Sequence, residues 1–184
     1  MTIFIIGFFF ISIFGTLLHF LYDISSHNKI VGVFSSVNES VWEHIKLALT
    51  PTFIYSLIDG YFYGAYDNYF FAKLISILSI IIVMPILFYG TKLFLKKHIT
   101  IINILIFFIT VFISELSMYL ILFSNPVSYL LKYISLIFLF ILFGNYLLLT
   151  LFPIESIIFK DPITNKYGYD GHRFIKRIFG IKTF

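Results

Sequence analysis

The chain has 184 residues, 60% hydrophobic and only 12% charged, with 25 phenylalanines and a formal net charge of +4. So apolar a composition exceeds what a water-soluble domain of this length buries, which excludes a soluble globular fold and points to an integral membrane protein. The lack of cysteine excludes disulfides, thiolate metal sites and cysteine nucleophiles together.

The first predicted element is an apolar span from Ile3 to Tyr22. It has neither the basic leading region nor the small-residue cleavage site of a signal peptide, so it reads as a retained helix. Its end carries His19 and Asp23, and the helix is expected to continue to His27 before Asn28 stops it. Ile30 to Val37 is too short to cross a bilayer and reads as a surface loop or a shallow re-entrant piece. Asn38 to Pro51, NESVWEHIKLALTP, then gathers two carboxylates, an imidazole and an ammonium into one stretch. Ser40 to Glu43 fits a capping box, in which the Ser40 hydroxyl accepts from the Glu43 amide and the Glu43 carboxylate reaches back to Ser40. The box starts a second span, Val41 to Tyr63, with Trp42 expected as an interface anchor. Pro51 leaves the Leu47 carbonyl without its helical partner and is expected to kink this span.

Gly64 to Asn68 is a turn, and the flanking Tyr61, Tyr63, Tyr66 and Tyr69 suit an interfacial aromatic belt. Phe70 to Leu95 forms a third span through Pro85, and Lys96, Lys97 and His98 make a polar connection. Thr100 to Phe123, holding Glu115, is the fourth span; Val127 to Phe152, holding Lys132 and Asn145, is the fifth. Glu115 and Lys132 sit at matched depths on consecutive helices, which favours a structural ion pair over a proton or ion relay. Asn145 is expected either to lean towards the level of His19 or to bond a neighbouring helix. Beyond Pro153 charges of both signs return. Asp161 to Gly168, DPITNKYG, reads as an ordered turn, and Phe174 to Ile181 as a short basic helix resting on anionic lipid.

The expected fold is an all-α, multi-pass transmembrane helical bundle of about five spans, residues 1–153, with a basic cytoplasmic tail, 154–184. Lys29, Lys46, Lys92, Lys96, Lys97 and the six basic residues of the tail fall on one side of that model, against Lys73 and Lys132 on the other. The positive-inside rule then sets the N-terminus out and the C-terminus in, with every histidine at the cytoplasmic side.

His19, Asp23 and His27 follow at i, i+4 and i+8, close to one helix face. Imidazole and carboxylate on one face are ligands for zinc or another divalent metal, and His44 or Glu39 on the next helix completes the donor set. The candidate metal ligands are therefore His19, Asp23 and His44. The candidate catalytic residues are Glu39, as the carboxylate left over from the cap, and His44. The plainer alternative has His19 in one buried hydrogen bond and Asp23 and His27 wet at the membrane edge. Asp170 and His172 are placed to fold back beneath the bundle and join this site. The function expected is a cytoplasm-facing polar pocket that binds or hydrolyses a small or lipidic ligand. The alternatives are a small-molecule or ion transporter and a non-catalytic membrane partner subunit. Membrane lipid is the expected partner, and nucleic acid is not.

NESVWEHIKL followed by Pro51, together with FKDPITNKYG, resembles an uncharacterised family of small bacterial integral membrane proteins, a domain-of-unknown-function family. The resemblance implies a multi-spanning helical fold in the bacterial plasma membrane and lends no catalytic residues. A looser similarity is to membrane-embedded zinc hydrolases of the alkaline ceramidase and progestin-receptor type, which differ in having seven spans and a His-rich late helix.

Overall fold

Long runs of Phe, Ile and Leu leave the backbone a single economical choice in hydrocarbon, because only a helix satisfies its own amide and carbonyl groups. A computed structural model, which describes residues 1–94 and 100–172, accordingly holds six α-helices. They are α1 (Thr2–Ile24), α2 (Lys29–Phe34), α3 (Val41–Tyr63), α4 (Tyr69–Phe94), α5 (Thr100–Leu122) and α6 (Tyr129–Leu151). A 3-10 turn, Gly168–Gly171, follows, and the one β-type pairing among the described residues is an isolated bridge between Lys160 and Tyr167. α1, α4, α5 and α6 are each long and apolar enough to cross a membrane, and the fold is an all-α, multi-pass helical bundle. Their outward faces expose large apolar side chains such as Phe9, Leu17, Ile86, Ile104 and Phe140, the surface that lipid contact requires. The connection at Lys96–His98 and the basic segment Phe174–Ile181 lie outside the described residues.

α3 is the central helix. Thirteen of its 23 residues are buried, against three of 23 in α6, and it carries Glu43, Lys46 and Asp59 inward. It packs on α1 and α4; α5 closes the other side of α1 and α4, and α6 leans on α4. Ile11, Ile45, Ala48, Leu49, Ile77, Ile80, Met84 and Val111 form the main core. In lipid no hydrophobic force drives helices together, so close approach at small residues matters more. α1 buries Ile3, Gly7, Ile11 and Gly15, a stripe at four-residue spacing. A Cβ on Gly15 would stand 2.5 Å from the Leu47 carbonyl oxygen, the acceptor that Pro51 deprives of its helical donor. α3 runs on through Pro51, with α1 pressed against the orphaned carbonyl.

Several local expectations are corrected. α1 stops at Ile24, and Asn28 caps α2 instead, accepting from the Ile30 amide at 2.9 Å. Ile30–Val37 is not a plain surface loop: it opens with α2, whose carbonyls are satisfied by side chains from other helices, and the shallow re-entrant alternative stands. Lys46 Nζ donates to Gly32 (2.8 Å), Tyr146 Oη to Val33 (3.1 Å) and Thr50 Oγ1 to Phe34 (2.9 Å). Trp42 is buried and stacks on Phe159 at 4.9 Å, so it anchors the chain after α6 rather than the interface. Tyr61 and Tyr66 are exposed as a belt requires, but Tyr69 is buried and donates to Asp59 at 2.6 Å. Asn145 faces outward, while its neighbour Tyr146 turns into the core. Lys132 pairs with Asp67 (3.0 Å), not with Glu115, because Glu115 points into the space between α1, α3 and α4.

Candidate metal centre at the end of the bundle

The two polar stretches of the sequence, far apart in the chain, fold onto each other. Ser40 caps α3 by accepting from the Glu43 amide at 3.4 Å, which is half of the expected capping box. The other half is different: Glu43 Oε2 accepts from the Val37 amide (2.9 Å) and from Lys46 Nζ (2.9 Å), while the Ser40 amide donates to Asn38 Oδ1 (2.8 Å). Asn38 Nδ2 donates to the Gly168 carbonyl (2.8 Å), and Asp161 Oδ1 accepts the Glu39 amide (3.0 Å). Asp161 also holds its own turn through the Thr164 hydroxyl (2.6 Å), and the Trp42 amide donates to Ile158 (2.9 Å). Buried polar groups need partners, and these satisfy one another across more than a hundred residues of sequence. The result is a strap, 154–172, lying under the start of α3.

That strap delivers His172 to the end of α1. Ser25, Ser26 and His27 turn the chain back at the α1 terminus, the last two with left-handed φ of 56° and 64°, uncommon for residues with side chains. The turn swings the His27 ring onto Asp23, with Nε2 at 3.2 Å from Oδ1. His172 Nε2 approaches the same Oδ1 at 3.3 Å, and the two imidazoles stand 4.5 Å apart between centroids. One ligand atom from each of Asp23, His27 and His172 thus lies within 4.8 Å of the others. Ligands about 2 Å from a tetrahedral zinc are separated by about 3.3 Å, close to the two spacings onto Asp23. His172 Nδ1 lies 2.9 Å from the Val37 carbonyl, an acceptor only, so Nδ1 carries the hydrogen and donates it. Nε2 is thereby turned towards the Asp23 carboxylate. A backbone carbonyl holding the far nitrogen is the arrangement that orients metal-ligating histidines. Tyr22 and Tyr169 wall the site, with Tyr22 4.9 Å from the His172 ring. Tyr169 donates to the Lys29 carbonyl at 2.8 Å, and burial, with Tyr22 and Glu43 nearby, raises its phenol above the ordinary range, which keeps it a donor.

A second group lies one turn back along α1. Glu39 faces two imidazoles, Oε1 at 3.8 Å from His19 Nε2 and Oε2 at 3.8 Å from His44 Nε2. His44 Nδ1 lies 2.9 Å from the Ser40 carbonyl, so it too donates there and turns Nε2 towards the carboxylate. The His19 and His44 rings are 6.3 Å apart between centroids. The structure therefore brings His19, Glu39 and His44 together, and places Asp23 with His27 and His172 rather than in a common ligand set with His44. His27 was visible as the third member of the i, i+4, i+8 series; Asp170 is exposed and stays apart. Asn38 and Asp161, the two hinges of the strap, carry sequence signals only as turn formers.

No curated protein and no solved structure matches the chain. A family model covers both polar stretches and all six helices, residues 2–169, and the chain belongs to that family of unknown function, DUF6512.

Proposed function

We propose that this membrane protein binds a divalent metal ion, zinc by its donor chemistry, through Asp23, His27 and His172, and acts with the adjoining His19–Glu39–His44 group on a small or lipidic ligand at the bundle's edge. The observation that carries this reading is convergence: one ligand atom from each of Asp23, His27 and His172 lies within 4.8 Å of the others, and the far nitrogen of His172 is held by the Val37 carbonyl. Three protein ligands are the set that leaves a catalytic zinc an open position. Such an ion supplies a Lewis acid and lowers the pKa of bound water. Glu39, half-exposed and hydrogen-bonded through its own amide to Asp161, is positioned as the base, with His19 and His44 orienting its two oxygens. Exposed apolar faces surrounding this end suit an amphipathic substrate entering from lipid. The reading places the protein in a bacterial plasma membrane with this end towards the cytoplasm.

The test is metal analysis of the purified full-length protein after zinc loading and buffer exchange. Wild type is expected to retain zinc in proportion to chain, and Asp23→Ala and His172→Ala to fall to background. His44→Ala and His98→Ala are expected to retain it. No metal above background in wild type sinks the proposal, and loss in His44→Ala but not His172→Ala transfers the ion to the other group.

A further inference from the structure

A second ionisable cluster lies at the opposite end of the bundle, inside its apolar packing. Asp59 on α3 and Lys73 on α4 form a buried ion pair, 1% and 2% exposed, and Tyr69 donates to the free Asp59 oxygen at 2.6 Å. This pair is complete in charge. Glu115 on α5 is the odd member: it is 1% exposed, Oε1 has no hydrogen-bond partner among the described residues, and Lys73 and Asp59 are both near enough to act on it electrostatically. Its other oxygen rests on the backbone of α1, where a Cβ added to Gly7 would meet it at 2.1 Å, beside the Tyr55 ring. The site is therefore shaped around the carboxyl, since glycine is what admits it. Neighbouring polar side chains have other partners: Ser76 pairs with Ser114 at 2.8 Å, and Tyr55 donates to the Ile3 backbone carbonyl at 3.3 Å.

Counting the groups from each packed element, α1 offers Gly7, α3 offers Tyr55 and Asp59, and α4 offers Lys73 with Tyr69 behind it. One ammonium faces two carboxyls. An unpaired carboxylate in hydrocarbon is costly, and intramembrane carboxyls of this kind mark proton or ion sites. We propose that Glu115 is a proton-binding site, carrying an exchangeable proton while the Asp59–Lys73 pair stays ionised beside it. On release the O–H bond breaks, its electron pair stays on Glu115, and the proton passes to water. Lys73, the one cation facing the cluster from the packed helices, then serves two carboxylates. Asp59 and Lys73 lie four residues from their helix ends, about 6 Å, and Glu115 seven, about 10 Å, so exchange takes place with the side bearing the α3–α4 turn. This site is independent of the metal centre at the other end.

The test is infrared titration of the full-length protein in lipid nanodiscs. Wild type is expected to show a carboxylic-acid carbonyl band that disappears reversibly as pH rises, and Glu115→Gln is expected to lose it. Asp59→Asn, which frees Lys73 to neutralise Glu115, is expected to lose the band at neutral pH, and it carries the test if Glu115→Gln does not fold. A band that survives in Glu115→Gln, one that never titrates, or one unchanged in Asp59→Asn overturns the proposal.

Discussion

Glu43 shows how one residue can be committed several times over. Its amide is capped by Ser40, and one carboxylate oxygen receives both the Val37 amide and the Lys46 ammonium. Lys46 is fully buried and spends a second donor on the Gly32 carbonyl. The pair thus ties α3 to the loop before it and to α2, and through that loop to His172 on the Val37 carbonyl. Removing one member of a buried pair costs about 3–5 kcal/mol, because the other stays buried with its charge uncompensated. Lys46→Met is therefore expected to destabilise by that amount, and the Glu43→Gln, Lys46→Met double variant by less. Denaturant unfolding in one detergent compares them. A loss in Lys46→Met below about 1 kcal/mol, the range of solvated pairs, shows that water reaches the pair.

At the scale of elements, the five long helices were legible because nothing in their runs competes with helix and the punctuation at Asn28, Ser40, Gly64, Asn125 and Pro153 is strong. Which face of each helix turns inward was not, because both faces are apolar when lipid is the solvent. The clue lies in small residues instead. Gly15 meets the Leu47 carbonyl and the Phe107 ring at 2.5 and 2.6 Å from a hypothetical Cβ, whereas Gly90 and Gly144 meet nothing among the described residues within 4 Å. Gly15→Ala is expected to cost about 1–3 kcal/mol through forced separation of α1 from α3. Gly90→Ala and Gly144→Ala are expected to stabilise by about 0.5–1 kcal/mol, the usual gain from alanine in a helix. Thermal unfolding of the three variants checks the contrast, and equal losses at all three positions would contradict the packing described. The site was legible in the same uneven way. His19, Glu39 and His44 met because the first helix ends where the next polar stretch begins. His27 stood beside Asp23 in the i, i+4 series, but the left-handed turn that brings it there, and the strap on Asn38 and Asp161 that brings His172, rest on backbone sign and distant contacts that local pattern does not carry. α2 escaped for the same reason, its carbonyls being satisfied from α3 and α6.

At the scale of the whole molecule, α3 decides how many times the chain crosses. α3 falls short of a membrane span by composition, yet its two ends are fixed to opposite ends of the bundle. Its start is held through the Glu39 amide by Asp161, in the segment that follows α6. The turn after it is held by Asn68, which receives the Val127 amide at 2.7 Å and donates to the Ile121 and Asn125 carbonyls at 2.9 and 3.1 Å, at the junction of α5 and α6. α6 itself, 23 residues or about 35 Å of helix, runs between those two levels, and α3, also 23 residues, covers the same distance. A helix that traverses a bundle while shielded by α1, α4 and α5 need not be apolar, because protein rather than lipid is its solvent. We propose on that ground five crossings, with the termini on opposite sides. Lys29, Lys46, Lys92, Lys160 and Lys166 belong to the end that holds His19, His27, His44 and His172, and Lys73 and Lys132 to the other, so by the positive-inside rule we propose that this end faces the cytoplasm. A reporter fused after Phe184 is expected to be cytoplasmic and one inserted in the Gly64–Asn68 turn external. A third reporter at the N-terminus is expected to be external like the turn, because α1 and α3 both cross between them; an N-terminal reporter on the side opposite the turn shows that α3 does not cross. If the sides of the C-terminal and turn reporters are exchanged, the proposed metal site faces outward and Glu115 takes its proton from the cytoplasm.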